Sequence, residues 1–237
     1  MRIKALAHRG DPLNYPENTM ISYQSAYQQG YSHLEIDVHL SKDGVPVLMH
    51  DITVDRMTNS QGFIKDFTLN ELKALLVGGE EEIPTLRETL EYFRGKIFLS
   101  IEIKQHGNLY VDIEKKVLQE IKEAKMLNEV YVNSFDHFSM IRMRELSKDV
   151  ELGIIQHGST PAVIPLMKDI QAKYLSLRVE YLTDKFVDMC EKNGIQIVVW
   201  PVDKQWHFDI VNRYPQVIST TNDLQKFKKM YMKNHQY

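Results

Sequence analysis

At 237 residues, 43% of them hydrophobic, the chain is long enough for one α/β domain with a sizeable core. A formal net charge of -3 excludes the basic footprint of a nucleic-acid binder or of a protein held by charge on an anionic membrane. The single cysteine, Cys190, excludes an intrachain disulfide, and its helical spacing from Phe186 marks it as a packing residue. The opening Met1-Arg2-Ile3-Lys4 carries no signal-peptide core, and no apolar run approaches the ~18 residues of a membrane span. A cytoplasmic protein without stable membrane insertion is the expectation, and nothing in the composition points to an oligomeric state.

Short β-rich runs alternate with helical patterns, which predicts an α/β fold built on a parallel sheet. Nine runs read as strands: residues 3–8, 34–38, 45–50, 97–104, 130–135, 152–156, 174–178, 195–202 and 217–220. That is one more than a closed eight-stranded barrel needs. Ser41-Lys42-Asp43-Gly44 is a turn signal, so the second and third runs read as an antiparallel hairpin whose second arm rides on the barrel. Folding the chain there brings His50 back to the level of Glu35 and Asp37, which share one strand face.

In chain order, Asn18 or Thr19 caps a helix with apolar Met20, Tyr23 and Tyr27 that ends at Gly30. Residues 52–82 break the alternation and read as a small insertion on the strand-end face of a single domain spanning 1–237. Within the insertion Thr68-Leu69-Asn70-Glu71 is a capping box, and the acidic run at 80–82 reads as a solvated turn. A second capping box, Thr85-Leu86-Arg87-Glu88, opens a helix that stops at Gly95. Ile113, Val117, Ile121 and Ala124 form a sheet-facing stripe. Thr183 and Gly194 bound the helix that carries Cys190, and a lysine-rich helix over 223–232 closes the chain.

In α/β barrels, catalytic side chains come from the C-terminal ends of several strands. Those ends carry His8-Arg9, Glu35-x-Asp37, His50-Asp51, Glu102-x-Lys104, Ser134-Phe135 and Trp200. Charged groups on apolar strands are costly unless paired or metal-bound. Glu35, Asp37 and Glu102 form an oxygen-only set suited to Mg²⁺ or Ca²⁺; the alternative is a salt-bridged cluster with Arg9 and Lys104. His8 and His50 suit a general base and general acid, while Arg9 and Lys104 suit a phosphate. Phe135 and Trp200 either wall the pocket or pack in the core. Glu17 is placed to hold Arg9, and Asn18 either caps the helix or orients a site group. His33, His39, His106, His137, His157, His207 and His235 show no converging partner and read as ordinary. No Gly-x-Ser-x-Gly elbow, phosphate-binding Walker loop or dinucleotide fingerprint is present.

His8-Arg9-Gly10, Pro16-Glu17-Asn18-Thr19, Glu35-Ile36-Asp37-Val38, His50-Asp51, Glu102-Ile103-Lys104 and Ser134-Phe135 together closely resemble the motif string of the glycerophosphodiester phosphodiesterase family. The resemblance implies a TIM (β/α)8 barrel with a small insertion after the hairpin. It implies hydrolysis of small-molecule glycerophosphodiesters to sn-glycerol 3-phosphate and an alcohol, with a route through a cyclic phosphate formed by the glycerol 2-hydroxyl. It also implies a divalent cation on Glu35, Asp37 and Glu102, His8 and His50 as the acid/base pair, and Arg9 and Lys104 near the phosphate. A phospholipase D-like or cyclising enzyme on lysophospholipids is the alternative. Two stretches depart from the family pattern. Trp200-Pro201-Val202-Asp203 stands where Trp-Thr-Val-Asn is usual, and Thr220-Thr221-Asn222 stands where the closing strand usually ends in Thr-Asp.

Overall fold

The computed structural model describes residues 2–234. It opens with β1 (Ile3–Ala7), α1 (Met20–Gln28) and β2 (Tyr31–Leu40), and β3 (Pro46–Leu48) then pairs antiparallel with β2. The register Val38↔Leu48 and Leu40↔Pro46 folds the chain about the Ser41–Gly44 turn, as the turn signal predicts. Next come α2 (Leu69–Lys73), the two-residue strands β4 (Leu76–Val77) and β5 (Glu81–Glu82), and α3 (Leu86–Phe93). From there strand and helix alternate: β6 (Phe98–Ile103), α4 (Ile113–Glu123), β7 (Val130–Ser134), α5 (His137–Leu146), β8 (Glu151–Ile155) and α6 (Val163–Asp169). The chain ends with β9 (Tyr174–Arg178), α7 (Asp184–Lys192), β10 (Gln196–Trp200), α8 (Gln205–Val211), β11 (Ile218–Thr221) and α9 (Leu224–Asn234).

The strands lie in the order β1-β11-β10-β9-β8-β7-β6-β2-β3, and β1 also pairs with β2. That last pairing closes eight parallel strands into a TIM barrel and leaves β3 outside it as an antiparallel arm. The strands are apolar on both faces because helices cover the outside and side chains fill the inside. Strand β6, Phe-Leu-Ser-Ile-Glu-Ile, is buried along nearly its whole length.

The helices turn one apolar face to the sheet. In α3 that face is Leu86, Leu90 and Phe93; in α7 it is Phe186, Val187 and Cys190. Full burial of such a side chain contributes roughly 1.5–3 kcal/mol. Inside the barrel, Leu6, Val198 and Ile218 cluster under Tyr174, which stacks on Tyr131 with ring centroids 4.0 Å apart. This plug closes the interior and forms the floor on which the site rests.

The segment between β3 and α3 has a small core of its own: Val47, Met49, Val54, Ile64, Leu72, Val77 and Ile83. Its helix α2 starts at a Thr68–Glu71 capping box. The ion pair of Lys73 with Glu88, 2.8 Å, ties that helix to the capping box that opens α3. The acidic run at 80–82 is not a simple turn. Glu81 and Glu82 are strand residues, because Gly78 and Gly79, both at positive φ, make the reversal just before them. His235 lies outside the described residues.

Candidate active site

Strand β1 stops at Ala7, and the next three residues turn the chain out of the barrel. Arg9 and Gly10 have φ of 58° and 92°. A Cβ at Gly10 would lie 2.7 Å from the carbonyl carbon of Ser22, so this close approach of loop to α1 requires glycine. The turn points Arg9 across the strand ends. Its Nη1 donates to Glu17 Oε1 at 3.0 Å, and its Nε lies 3.4 Å from Asp37 Oδ2. Asn18, at φ 57°, orients Asp37, while Thr19 caps α1. The Asn18 amide donates to Asp37 Oδ2 at 2.8 Å, and its Oδ1 accepts from Tyr23 OH at 2.7 Å.

Strands β2 and β6 are neighbours with Asp37 opposite Glu102. Glu35, Asp37 and Glu102 are drawn together there, with one oxygen of each within 4.8 Å of the others. The Lys104 ammonium lies 2.9 Å from Asp37 Oδ1 and 2.6 Å from Glu102 Oε1, so it bridges two of the three carboxylates. Burial pushes Asp37 upward, but Lys104 and Arg9 outweigh it and hold the carboxyl well below the usual range. Glu35 lacks such a partner: burial, then the charge of Asp37, pushes it up to about 8. Burial also raises Glu102. Glu35 Oε2 is buried and receives no hydrogen bond. Three convergent carboxylates, one of them poorly satisfied, fit a hard divalent cation by charge and donor type.

His8 and His50 face this cluster from two sides. His8 Nε2 lies 3.2 Å from Glu35 Oε2, and its Nδ1 lies 2.6 Å from Asn222 Oδ1. His50 Nδ1 lies 2.7 Å from Asp51 Oδ1, and Arg56 bridges Asp51 and Glu17 at 2.6 Å each. Glu17 therefore joins the Arg9 side of the site to the His50 side. Burial, with Arg9 beside His8 and Lys104 beside His50, lowers both histidines. Burial also pushes His39 down to about 4. Its Nε2 lies 3.2 Å from the His50 carbonyl, and its Nδ1 lies 2.8 Å from Tyr110 OH.

One pocket of about 460 Å³ contains His8, Arg9, Glu35, His50, Glu102 and Lys104 on its polar side. Asp37 lies behind them. Phe135, His157 and Trp200 form the opposite wall, with the Phe135 and Trp200 centroids 5.9 Å apart at 81°. Trp200 thus belongs to the pocket and not to the core. His106 and His157, which read as ordinary in the sequence, also line this pocket. Both follow barrel strands, so the signal was their place after β6 and β8. Ser134 Oγ donates to the Ile103 carbonyl at 2.7 Å and is tied to backbone. The two departures from the family pattern touch each other: Asn222 Nδ2 donates to Asp203 Oδ2 at 2.7 Å.

A TIM barrel with carboxylates, histidines and cationic side chains gathered at one strand-end pocket has the layout of a barrel enzyme that binds its substrate at the C-terminal strand ends. The glycerophosphoryl diester phosphodiesterase family model matches residues 8–231. A glycerophosphodiester phosphodiesterase of Caldanaerobacter subterraneus subsp. tengcongensis is 39% identical over 215 residues, covering 86% of this chain and 88% of the relative. A second, from Bacillus altitudinis, is 37% identical over 179 residues, covering 72% and 73%. Among solved structures, a phosphodiesterase of Oleispira antarctica in complex with the product sn-glycerol-3-phosphate superposes with a TM-score of 0.87 at 25% identity. That superposition covers 97% of this chain and 96% of the other. The chain belongs to the glycerophosphoryl diester phosphodiesterase family, and with it to the phosphoric diester hydrolases.

Proposed function

We propose that the chain hydrolyses glycerophosphodiesters to sn-glycerol 3-phosphate and an alcohol, with a divalent cation and with His8 and His50 as the proton-transfer pair. The observation that carries this reading is the meeting of both histidines, Arg9, Lys104 and the carboxylates in one pocket. The product bound in the Oleispira antarctica neighbour supports the substrate class. Glu35, Asp37 and Glu102 would hold Mg²⁺ or Ca²⁺, which when bound neutralises charge developing on the phosphoryl oxygens. Arg9, anchored by Glu17 and Asp37, and Lys104 supply fixed positive charge to the phosphate.

One histidine takes the proton of the attacking hydroxyl, and the other protonates the leaving oxygen. In the route through a cyclic phosphate, the glycerol 2-hydroxyl forms the new P–O bond and expels the alcohol. Water then opens the ring. Phe135 and Trp200 wall the side on which the alcohol leaves. In this reading the chain is one domain, and residues 52–82 supply a rim that carries Arg56 against Asp51 and Glu17.

The test is release of glycerol 3-phosphate from glycerophosphoethanolamine by the purified protein. Chelation should abolish it, and His8→Ala or His50→Ala should lower the rate by roughly 10²–10⁴-fold. Full activity in excess chelator would refute the cation dependence. A second reading, action on lysophospholipids, draws on the exposed apolar side chains Leu13, Val111 and Phe138 in the loops that follow β1 and β6 and at the start of α5. Faster turnover of a lysolipid than of the water-soluble diester would favour it.

A further inference from the structure

Barrel closure brings the two ends of the chain together at His8. Ala7 pairs with Thr221, and the His8 amide donates to the Thr221 carbonyl at 3.0 Å. The next residue, Asn222, therefore stands beside the imidazole, with its Oδ1 2.6 Å from Nδ1. Behind Asn222 stands Asp203, just beyond the end of β10. Its Oδ2 receives the Asn222 side-chain amide at 2.7 Å. Its Oδ1 receives the Asn222 backbone N–H at 2.8 Å and the Thr221 hydroxyl at 2.7 Å.

The chemistry of these groups leaves one hydrogen arrangement. An ionised carboxylate only accepts, so the amide nitrogen of Asn222 must face Asp203. These three donors, with the Asp223 backbone N–H 3.4 Å from Oδ1, hold the Asp203 carboxyl below the ordinary range against the opposing effect of burial. With the nitrogen committed, the oxygen of Asn222 faces His8 and accepts. The imidazole nitrogen opposite an acceptor must carry a hydrogen.

We propose that Asp203 and Asn222 are a pair of positioning residues that fix the proton of His8 on Nδ1, so that Nε2 is the nitrogen that accepts and returns the proton in the reaction. Nε2 is also the nitrogen turned toward Glu35 and the pocket. The proposal rests on the reading of His8 as an acid/base group, and it adds which atom does the work and what holds it. Asn222 fixes the tautomer, and Asp203 fixes Asn222. The pair sets a neutral amide behind the ring and the negative charge one hydrogen bond further back.

The experiment records long-range ¹H–¹⁵N spectra of the histidine rings in neutral to mildly alkaline buffer, with and without Mg²⁺. The His8 signal is assigned by its loss in His8→Ala. The wild-type ring should show a protonated Nδ1 and an unprotonated Nε2. Asn222→Ala should mix or invert that pattern and lower kcat by roughly 10–100-fold with little change in KM. Asn222→Asp should also lose activity, because it sets two carboxylates on one hydrogen bond. The exchange double variant Asp203→Asn/Asn222→Asp rebuilds the chain of donors and acceptors, and it should restore both the tautomer and most of kcat.

Retention of the wild-type tautomer and of kcat within twofold in Asn222→Ala overturns the proposal. So does a double variant no better than the worse single one. The exchange variant keeps the test open should Asn222→Ala fold poorly. An unchanged rate in His8→Ala would instead overturn the acid/base reading, and the spectra would still report whether Asn222 sets the ring.

Discussion

Lys104 is tied to the carboxylate cluster on two sides. Its ammonium is buried between Asp37 and Glu102, and those carboxylates hold its proton firmly against the opposing effect of burial. A buried ion pair adds little over an apolar substitute of the same shape, but removing one partner leaves uncompensated charge. Lys104→Met should therefore destabilise the cation-free protein by about 3–5 kcal/mol. Mg²⁺ or Ca²⁺ should recover much of that loss, because a divalent ion offers the same carboxylates a new partner. Thermal melts in chelator and in excess cation check this. Equal Tm for variant and wild type in chelator would show that Lys104 does not neutralise the cluster. Glu17 and Asn18 act through other groups in the same way. Both were legible as motif residues, and so was Arg9 as the partner of Glu17; Arg56 beside Glu17 and Asp37 beside Asn18 were not. That Asn18 leaves capping to Thr19 and turns to Asp37 follows from its left-handed backbone, which no spacing rule reveals.

At the scale of elements, the β2–β3 hairpin does the assembling. Its turn and its alternating pattern were readable, and with them the approach of His50 to Glu35 and Asp37. The strut that fixes the far arm was not readable. His39 is buried between the His50 carbonyl and the Tyr110 hydroxyl, and so holds the end of the hairpin to the loop before α4. His39→Phe keeps the ring volume and removes both polar contacts. It should lower kcat about 10-fold or more by letting His50 drift, since a displacement of about 1 Å can cost up to 10²-fold. The Tm should fall far less than a cavity-forming change would give. Unchanged kcat would show that His50 needs no such strut. Helices with strong end signals were legible too: Thr68 and Thr85 make the capping boxes their sequences predict. Helices α5, α6 and α8 were not. In α5 only Ser139, Met140 and Met143 are buried, so its stripe is short although Asp136 caps it, and α6 has no side-chain cap and contains Pro165, so its start is unmarked.

At the scale of the whole molecule, closure is what the one-dimensional pattern could not show. The sequence marks Asp203 and Asn222 as two separate departures from a family pattern; the β1–β11 pairing makes them one matched contact against a histidine 214 residues away from Asn222. Closure also crowds three carboxylates into a space with too few cations, and the whole fold bears the consequence. Glu35 is pushed up to about 8 by burial and by Asp37. In the unfolded chain its carboxyl titrates near ~4.3. Between those values the folded protein holds a proton that the unfolded chain has released. The stability of the cation-free protein should therefore fall as pH rises through that window and level off above about 8. A divalent cation must displace the same proton, so its apparent affinity should rise by up to about tenfold per pH unit below the upper limit and flatten above it. At a cation concentration of about 100 Kd the folded state should gain ~2.7 kcal/mol. The two pH dependences run in opposite directions. Titration calorimetry across the window, in buffers of different ionisation enthalpy, should count close to one proton released per cation near neutral pH. Glu35→Gln should abolish that release and flatten the stability profile, because an amide has no proton to give up. Proton-independent binding in the wild-type protein would mean either that Glu35 is already ionised or that the cation leaves it protonated and is held by the other carboxylates.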